Sequence, residues 1–353
     1  MQTHRIAVIA GDGVGQEIIP EAKRLLSRLE QKYGFRLEYS DYDWGSEYYL
    51  RNGRMAPEDF LDQLKASDAV LLGAVGHPKV PDHVTLNGLL LPIRRTFDQY
   101  ANIRPAKLYK GVDSPLALRK GEEIDLVVVR ENTEGEYAQI GGFLYQNQPD
   151  EVAVQSSVFT RRGVDRVVRV AFELARKRNG KRRVTSVTKS NAQGYSLVLW
   201  DRAFAAVAAE YPDITTESLL VDAAAMNFIR RPDSFDVVVA SNLFGDILSD
   251  ISAMIVGSMG LAPSANLDPS RRFPSMFEPV HGSAPDIAFK GIVNPLATFL
   301  CVEQMLEHLG HSEAAADIET AVAKVLAAKS VRTPDLGGTS RTSEVTDAVI
   351  AQV

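Results

Sequence analysis

Asp246 and Asp250 stand four residues apart in Ser241-Asn242-Leu243-Phe244-Gly245-Asp246-Ile247-Leu248-Ser249-Asp250, which follows an apolar strand and opens a helix. That spacing projects both carboxylates from one helical face, and two such acids repel unless a cation lies between them. Hard oxygen ligands of this kind suit Mg2+ or Mn2+ rather than Zn2+. An isolated pair at this spacing is more often a helix cap and a solvated acid. Asp222 reverses that judgement, because it ends the apolar run Leu219-Leu220-Val221 and ligands collect at the carboxyl ends of parallel strands.

Three arginines offer the complementary charge. Arg94 lies on a helix, Arg104 is held extended by Pro105, and Arg130 ends the apolar strand 124–129. Taken singly, each would be a surface salt bridge; together their planar forks suit a dicarboxylate. Lys189 ends the strand Val184–Val187 beside Asn191, and next to a divalent cation its ammonium would be destabilised into a usable base. Tyr137 follows Arg130-Glu131-Asn132-Thr133-Glu134-Gly135-Glu136 and places a phenol proton donor one loop beyond the carboxylate clamp.

These side chains need a scaffold that brings distant strand ends together. Short runs rich in Val and Ile, such as Arg5–Ile9, Ala69–Leu72, Val184–Val187, Ser218–Val221 and Phe235–Ala240, alternate with amphipathic stretches. The pattern predicts an α/β fold with a largely parallel sheet covered on both faces. The segment 141–160 breaks the rhythm and reads as a β-hairpin arm, lying on its own lobe or reaching a second subunit. After Gly260 the chain is rich in Pro and Ser until Phe277, then returns to helices such as Glu313–Lys329. At 353 residues the chain is long enough for two lobes.

Lys plus Arg count 39 against 45 Asp plus Glu, a net charge of −6, so no nucleic-acid footprint is expected. The short basic run Lys177-Arg178 to Lys181-Arg182-Arg183 reads as a solvated helix end. The single cysteine, Cys301, excludes an internal disulfide and a thiolate metal cage. Residues 1–10 lack a signal-peptide layout and no apolar run approaches the ~18 residues of a membrane span, so a cytoplasmic location away from membranes is expected.

The cluster Gly11-Asp12-Gly13-Val14-Gly15 imitates a dinucleotide fingerprint, with Glu30 near the place of a ribose ligand. The third glycine should fall three residues after the second, and Gln16 stands there. We therefore expect a tight strand-to-helix turn lining a cleft, not a Rossmann fold. The same cluster lacks the lysine of a phosphate-cradling loop, which argues against an Mg2+-dependent phosphate-transferring enzyme.

Several stretches taken together resemble the β-decarboxylating dehydrogenases, which include 3-isopropylmalate, isocitrate, homoisocitrate and tartrate/D-malate dehydrogenases. They are Gly11–Glu17, Arg94 to Arg104-Pro105, Val129-Arg130-Glu131-Asn132, Lys189-Ser190-Asn191, Asn242–Asp250 and Glu278–Asp286. The resemblance spans nearly the whole chain. It implies the two-lobed isopropylmalate/isocitrate dehydrogenase-like fold, with a cofactor lobe of residues 1–98 and 252–353 and a central lobe of 99–251. It implies a homodimer with shared active sites, where Lys189 and Asp222 reach into the partner's cleft. By position, Asp222, Asp246 and Asp250 hold the divalent ion, Arg94, Arg104 and Arg130 grip the substrate, and Lys189 and Tyr137 serve as base and acid.

In the family the cofactor lies on a loop unlike the Rossmann turn, here Glu278, His281, Gly282, Ser283, Ala284, Asp286 and Ile287, with Asn294 beyond and Asn191 contributing. NADP-using relatives carry Lys and Tyr at the pair occupied by Asp286 and Ile287, so NAD is expected, with Mg2+ or Mn2+ and a monovalent cation left open. Isocitrate enzymes place Ser and Asn where Gly88 and Leu90 stand, which disfavours a third substrate carboxylate. The surroundings are most similar to the tartrate/D-malate branch, so a malate-type 2-hydroxy diacid is the expected substrate. Leu90 and Leu91 resemble the apolar pocket of 3-isopropylmalate enzymes, and that substrate remains the alternative.

Overall fold

Every residue of Ala69–Ala74 is buried, as a strand covered on both faces must be. The computed structural model describes residues 2–118 and 123–353. In chain order its strands are β1 (Thr3–Gly11), β2 (Arg36–Tyr42), β3 (Ala69–Ala74), β4 (Ala101–Lys107), β5 (Asp125–Glu131), β6 (Gly135–Leu144), β7 (Val152–Val158), β8 (Arg183–Thr188), β9 (Thr215–Leu220), β10 (Val237–Ala240), β11 (Pro263–Leu267) and β12 (Ser275–Pro279). The chain divides into a unit of Met1–Gln99, Ile103–Ile124 and Ser252–Val353, and a unit of Tyr100–Asn102 and Asp125–Ile251.

In the chain-end unit the strand order is β2-β1-β3-β12-β11-β4. β1 runs parallel to β2 and β3, β3 runs parallel to β12, and β11 and β12 are antiparallel. Alternate side chains enter different cores, as the period of two requires. Ile6, Val8, Leu71 and Phe277 pack with Leu25, Phe299 and Ile318, whereas Ala7, Ile9, Leu72 and Met276 pack with Trp44, Phe60 and Ile93. Ile103, Tyr109 and Val112 join the first core. Ile103–Ile124 therefore goes with the chain ends, unlike the expected central lobe of 99–251.

The Pro- and Ser-rich stretch after Gly260 forms β11 and β12. Pro263 and Pro279 face each other at one end of that ladder, where a missing amide interrupts no interior pairing. No helix among the described residues is long and apolar enough to cross a membrane.

The second unit carries the parallel order β5-β10-β8-β9. Phe172 of the helix Arg161–Arg178 packs on Phe204 of the helix Ser196–Ala208 with ring centroids 5.7 Å apart. Trp200 from the latter donates to Ser186 of β8 at 2.9 Å. Because neighbouring strands run the same way, Arg130, Lys189, Asp222 and the segment after Ala240 all fall at the carboxyl edge of one sheet.

Two boundaries in this unit differ from the sequence reading. β9 stops at Leu220, and Asp222 lies in the first turn of the helix Val221–Arg230, where a carboxylate suits the positive helix end. The hairpin begins at Gly135 rather than 141, because a register irregularity between Gly135 and Ile140 interrupts its alternation. Tyr137 thus sits on β6. Ile140, Phe143, Leu144, Val152 and Val154 of this arm are exposed, as are Met226 and Ile229 on the helix after β9.

Candidate active site

Asp246 is the meeting point of the second unit. The helix Asn242–Ile255 begins four residues before it, so its carboxylate projects from the helix side and does not cap the end. The buried guanidinium of Arg130 forms an ion pair with Asp246 Oδ1, and Tyr137 Oη donates to Oδ2 at 2.9 Å. Arg130 also donates to Asn242 Oδ1 through Nη2 at 2.8 Å and Nε at 3.2 Å, and stands over the Tyr137 ring at 5.3 Å. Gly245 permits this approach: a Cβ there would fall 2.6 Å from Arg130 Cβ. Asp250 lies one turn on along the same helix and is exposed.

Lys189 follows β8 directly, and its Nζ meets Asp222 Oδ1 at 2.6 Å. The ammonium, helped by a backbone amide, holds the Asp222 carboxyl below the usual carboxylate range. Among the described residues no group of three or more His, Cys, Asp or Glu side chains is placed to hold a metal. Within one chain, Asp222 is therefore gathered with Lys189 and not with Asp246 and Asp250.

In the chain-end unit, Arg94 and Arg104 are buried on the helix Leu91–Thr96 and on β4. Arg94 Nη2 donates to Glu278 Oε1 at 2.7 Å, and Asn266 Nδ2 donates to the same oxygen at 2.8 Å. Glu278, expected to meet a cofactor, is thus committed to an arginine inside its own unit. Leu90 is likewise a core residue, packed in the cluster of Trp44, Met55 and Phe60, and Leu91 is buried. A π-helical turn over Leu86–Leu90 sets these directions.

His281, Ala284, Ile287 and Asn294 line a groove of about 430 Å3 together with Val14, Met259 and Asp335. Asn294 Nδ2 and Ser258 Oγ donate to Asp335 Oδ2 at 3.0 and 2.5 Å. His281 Nδ1 lies 3.0 Å from the Gly282 carbonyl, which fixes that nitrogen as the donor, and its Nε2 is buried with no partner among the described residues. Burial pushes the imidazole pKa down, so the ring is neutral.

Ser283 contributes its carbonyl to the Val14 amide at 2.9 Å, and Gly13 lies so close that a Cβ would meet that carbonyl at 2.2 Å. The glycine turn is thereby accounted for by packing. Glu30, the tempting ribose ligand, accepts from the Leu37 amide at 2.7 Å. Gly282, Asp286 and Asn191 are exposed. Sequence reasoning missed Asp335. Its only signal is the turn-forming run Pro334-Asp335-Leu336-Gly337-Gly338, far along the chain from Asn294.

Residues 5–349 match the isocitrate/isopropylmalate dehydrogenase family. A probable tartrate dehydrogenase/decarboxylase of Agrobacterium vitis is 51% identical over 99% of this chain and 97% of its own length. The D-malate dehydrogenase [decarboxylating] of Escherichia coli (strain K12) is 49% identical over 99% and 98%. The crystal structure of isocitrate dehydrogenase from Methylococcus capsulatus superposes with a TM-score of 0.89 at 35% identity, covering 99% of both chains. The chain belongs to the isocitrate/isopropylmalate dehydrogenase family, a class of oxidoreductases.

Proposed function

We propose that this protein oxidises a tartrate- or D-malate-type 2-hydroxy diacid with NAD and a divalent cation, and releases carbon dioxide from the product. The carrying observation is the convergence of Arg130 and Tyr137 on Asp246, with Asn242 accepting from the same Arg130, in a chain about half identical to relatives named for those substrates. Two further features support a small diacid. Leu90 is taken up by the core and so is not available to a hydrophobic substituent. A side chain at Gly88, where isocitrate enzymes carry Ser, would meet Met55 Cγ at 2.6 Å.

The residues fit the implied groups. Asp246 and Asp250 supply hard oxygens four residues apart, which suits Mg2+ or Mn2+. One chain supplies only part of the set. Asp222 and Lys189 of a second copy, joined through the exposed apolar hairpin, complete it in this reading. The groove with apolar walls, the orphaned His281 Nε2 and Asp335 suits an adenosine, and Asp286 next to Ile287 disfavours a 2′-phosphate. When bound, the cation supplies electrophilic polarisation of the oxygen at C2, and NAD accepts the hydride.

The chain's own residues do the rest. Arg130 holds a substrate carboxylate, and Arg94 and Arg104 hold the other in this reading. Lys189 takes the proton from the C2 hydroxyl as hydride leaves C2. In the resulting β-keto acid the bond to the outer carboxylate breaks, its electrons pass to the C2 oxygen, and Tyr137 returns a proton to the carbon. Following NADH absorbance with D-malate, the tartrate isomers and 3-isopropylmalate, with Mn2+ and with chelator, tests the reading. Turnover that survives chelation, or that prefers 3-isopropylmalate, would sink it.

A further inference from the structure

We propose that Glu136 is a positioning residue that keeps the helix bearing Asp246 and Asp250 in register with Tyr137; the inference rests on the proposed roles of those three residues. Glu136 and Tyr137 are neighbours on β6, in the stretch where the register irregularity interrupts its alternation. Glu136 Oε1 accepts from Ser241 Oγ at 3.0 Å, and its Oε2 accepts from the Leu243 amide at 3.2 Å.

The Leu243 amide belongs to the first turn of the helix Asn242–Ile255, whose amides lack carbonyl partners within the helix. A carboxylate there answers both the donor and the positive helix end. One turn further on, Tyr137 Oη reaches Asp246. Two successive residues of β6 therefore grip one helix at two heights.

The surroundings reinforce the grip. Asn242 Nδ2 donates to the Glu134 carbonyl at 3.1 Å. Gly135, with φ of 75°, lets the strand approach until a Cβ would lie 3.3 Å from Asn242 Cβ. Glu134 provides the contrast, because its carboxylate accepts from the Thr160 amide and hydroxyl at 2.9 and 2.8 Å. It ties the base of the hairpin and leaves the helix end to Glu136. Supporting groups of this kind matter because metal-binding geometry tolerates displacements of only about 0.5 Å.

The test compares Mn2+ affinity, by electron paramagnetic resonance of the free ion, with melting temperature in the full-length protein. Glu136→Ala is expected to weaken Mn2+ about tenfold or more, and to raise the share of undecarboxylated keto acid among the products. Glu136→Gln, which keeps one acceptor, should recover part of both. Glu134→Ala should lower the melting temperature and leave Mn2+ affinity unchanged.

Wild-type Mn2+ affinity and product ratio in Glu136→Ala would overturn the assignment. So would an equal loss of affinity in Glu134→Ala, which would mean general loosening. If Glu136→Ala does not fold, Glu136→Asp, one methylene shorter, replaces it with the same expectation and the same contrary result. A wild-type protein that binds no Mn2+ would instead overturn the underlying reading of Asp246 and Asp250.

Discussion

Tyr137 Oη and Asp246 Oδ2 lie 2.9 Å apart, with the phenol donating, while Arg130 occupies the other oxygen of the same carboxylate. One aspartate thereby orients a proton donor and a guanidinium at once. The phenol is held by an acceptor before any substrate arrives, which removes part of the orientational cost of proton transfer.

Tyr137→Phe keeps the ring over Arg130 and deletes the proton donor. Formation of the decarboxylated product is expected to fall by about a hundredfold or more, with a smaller loss in NADH formation. Separate assays of keto acid and NADH read the two steps. Equal losses would contradict the role given to Tyr137.

Arg94 and Glu278 form an ion pair with side chains 7% and 8% exposed. Removing one partner leaves a buried charge without its counterion, which typically costs about 3–5 kcal/mol. Glu278→Ala should therefore melt well below wild type, and Glu278→Gln, which keeps an acceptor for Arg94 and Asn266, should melt between them. A Glu278→Ala protein as stable as wild type would show that the pair contributes nothing net.

Burial raises the Glu131 carboxyl from 4.5 to about 7, against the opposing hydrogen bonds from the Glu134 and Thr133 amides. The folded protein thus binds this proton more tightly than the unfolded chain. Its contribution is most favourable below pH 4.5, is lost as pH rises to about 7, and is level above. The difference amounts to ~3 kcal/mol at about 1.4 kcal/mol per unit. Glu131→Gln should flatten that part of the pH profile, so the gap in melting temperature between about pH 5 and about pH 8 should narrow. An unaltered gap would place the titration elsewhere.

Ile287 lines the groove assigned to the adenosine, and exposed Asp286 directly precedes it. Asp286→Lys with Ile287→Tyr replaces a repelling carboxylate by a cation and an added donor. The ratio of kcat/KM for NADP to that for NAD is expected to rise at least tenfold, an effect of about 1.4 kcal/mol. A constant ratio would separate Asp286 from cofactor choice.

Arg130, Lys189 and Asp246 were legible in the sequence because each lies at or just beyond the carboxyl end of a strand in one parallel sheet, where apolar runs mark the strands. Arg94 and Glu278 could not be paired that way, since 184 residues separate them. The family resemblance makes Leu90 a pocket residue, and the structure packs it in the core cluster of Trp44 and Phe60. The π-helical turn Leu86–Leu90 adds a residue to the turn and so changes which side chains face inward, a local feature that no motif in the sequence announces. β11 and β12 were hidden by Pro263 and Pro279 at their ends, and the strand that carries Tyr137, itself named from the sequence, by the irregular start of the hairpin. Asp222 shifted from strand to helix by two residues, within the usual uncertainty of such boundaries.

The position of β12 between β3 and β11 has a consequence for synthesis. β3 ends at Ala74 and β12 begins at Ser275, so the ribosome must add about two hundred residues before that edge of β3 can be paired. At translation rates of about 5–20 residues per second this takes roughly ten to forty seconds. During that time the hydrogen-bonding edge and apolar faces of the first strands have no mate from the other end of the chain. A nascent chain of this design needs shelter from its neighbours, and slower elongation between Ala74 and Ser275 should make misassembly more frequent.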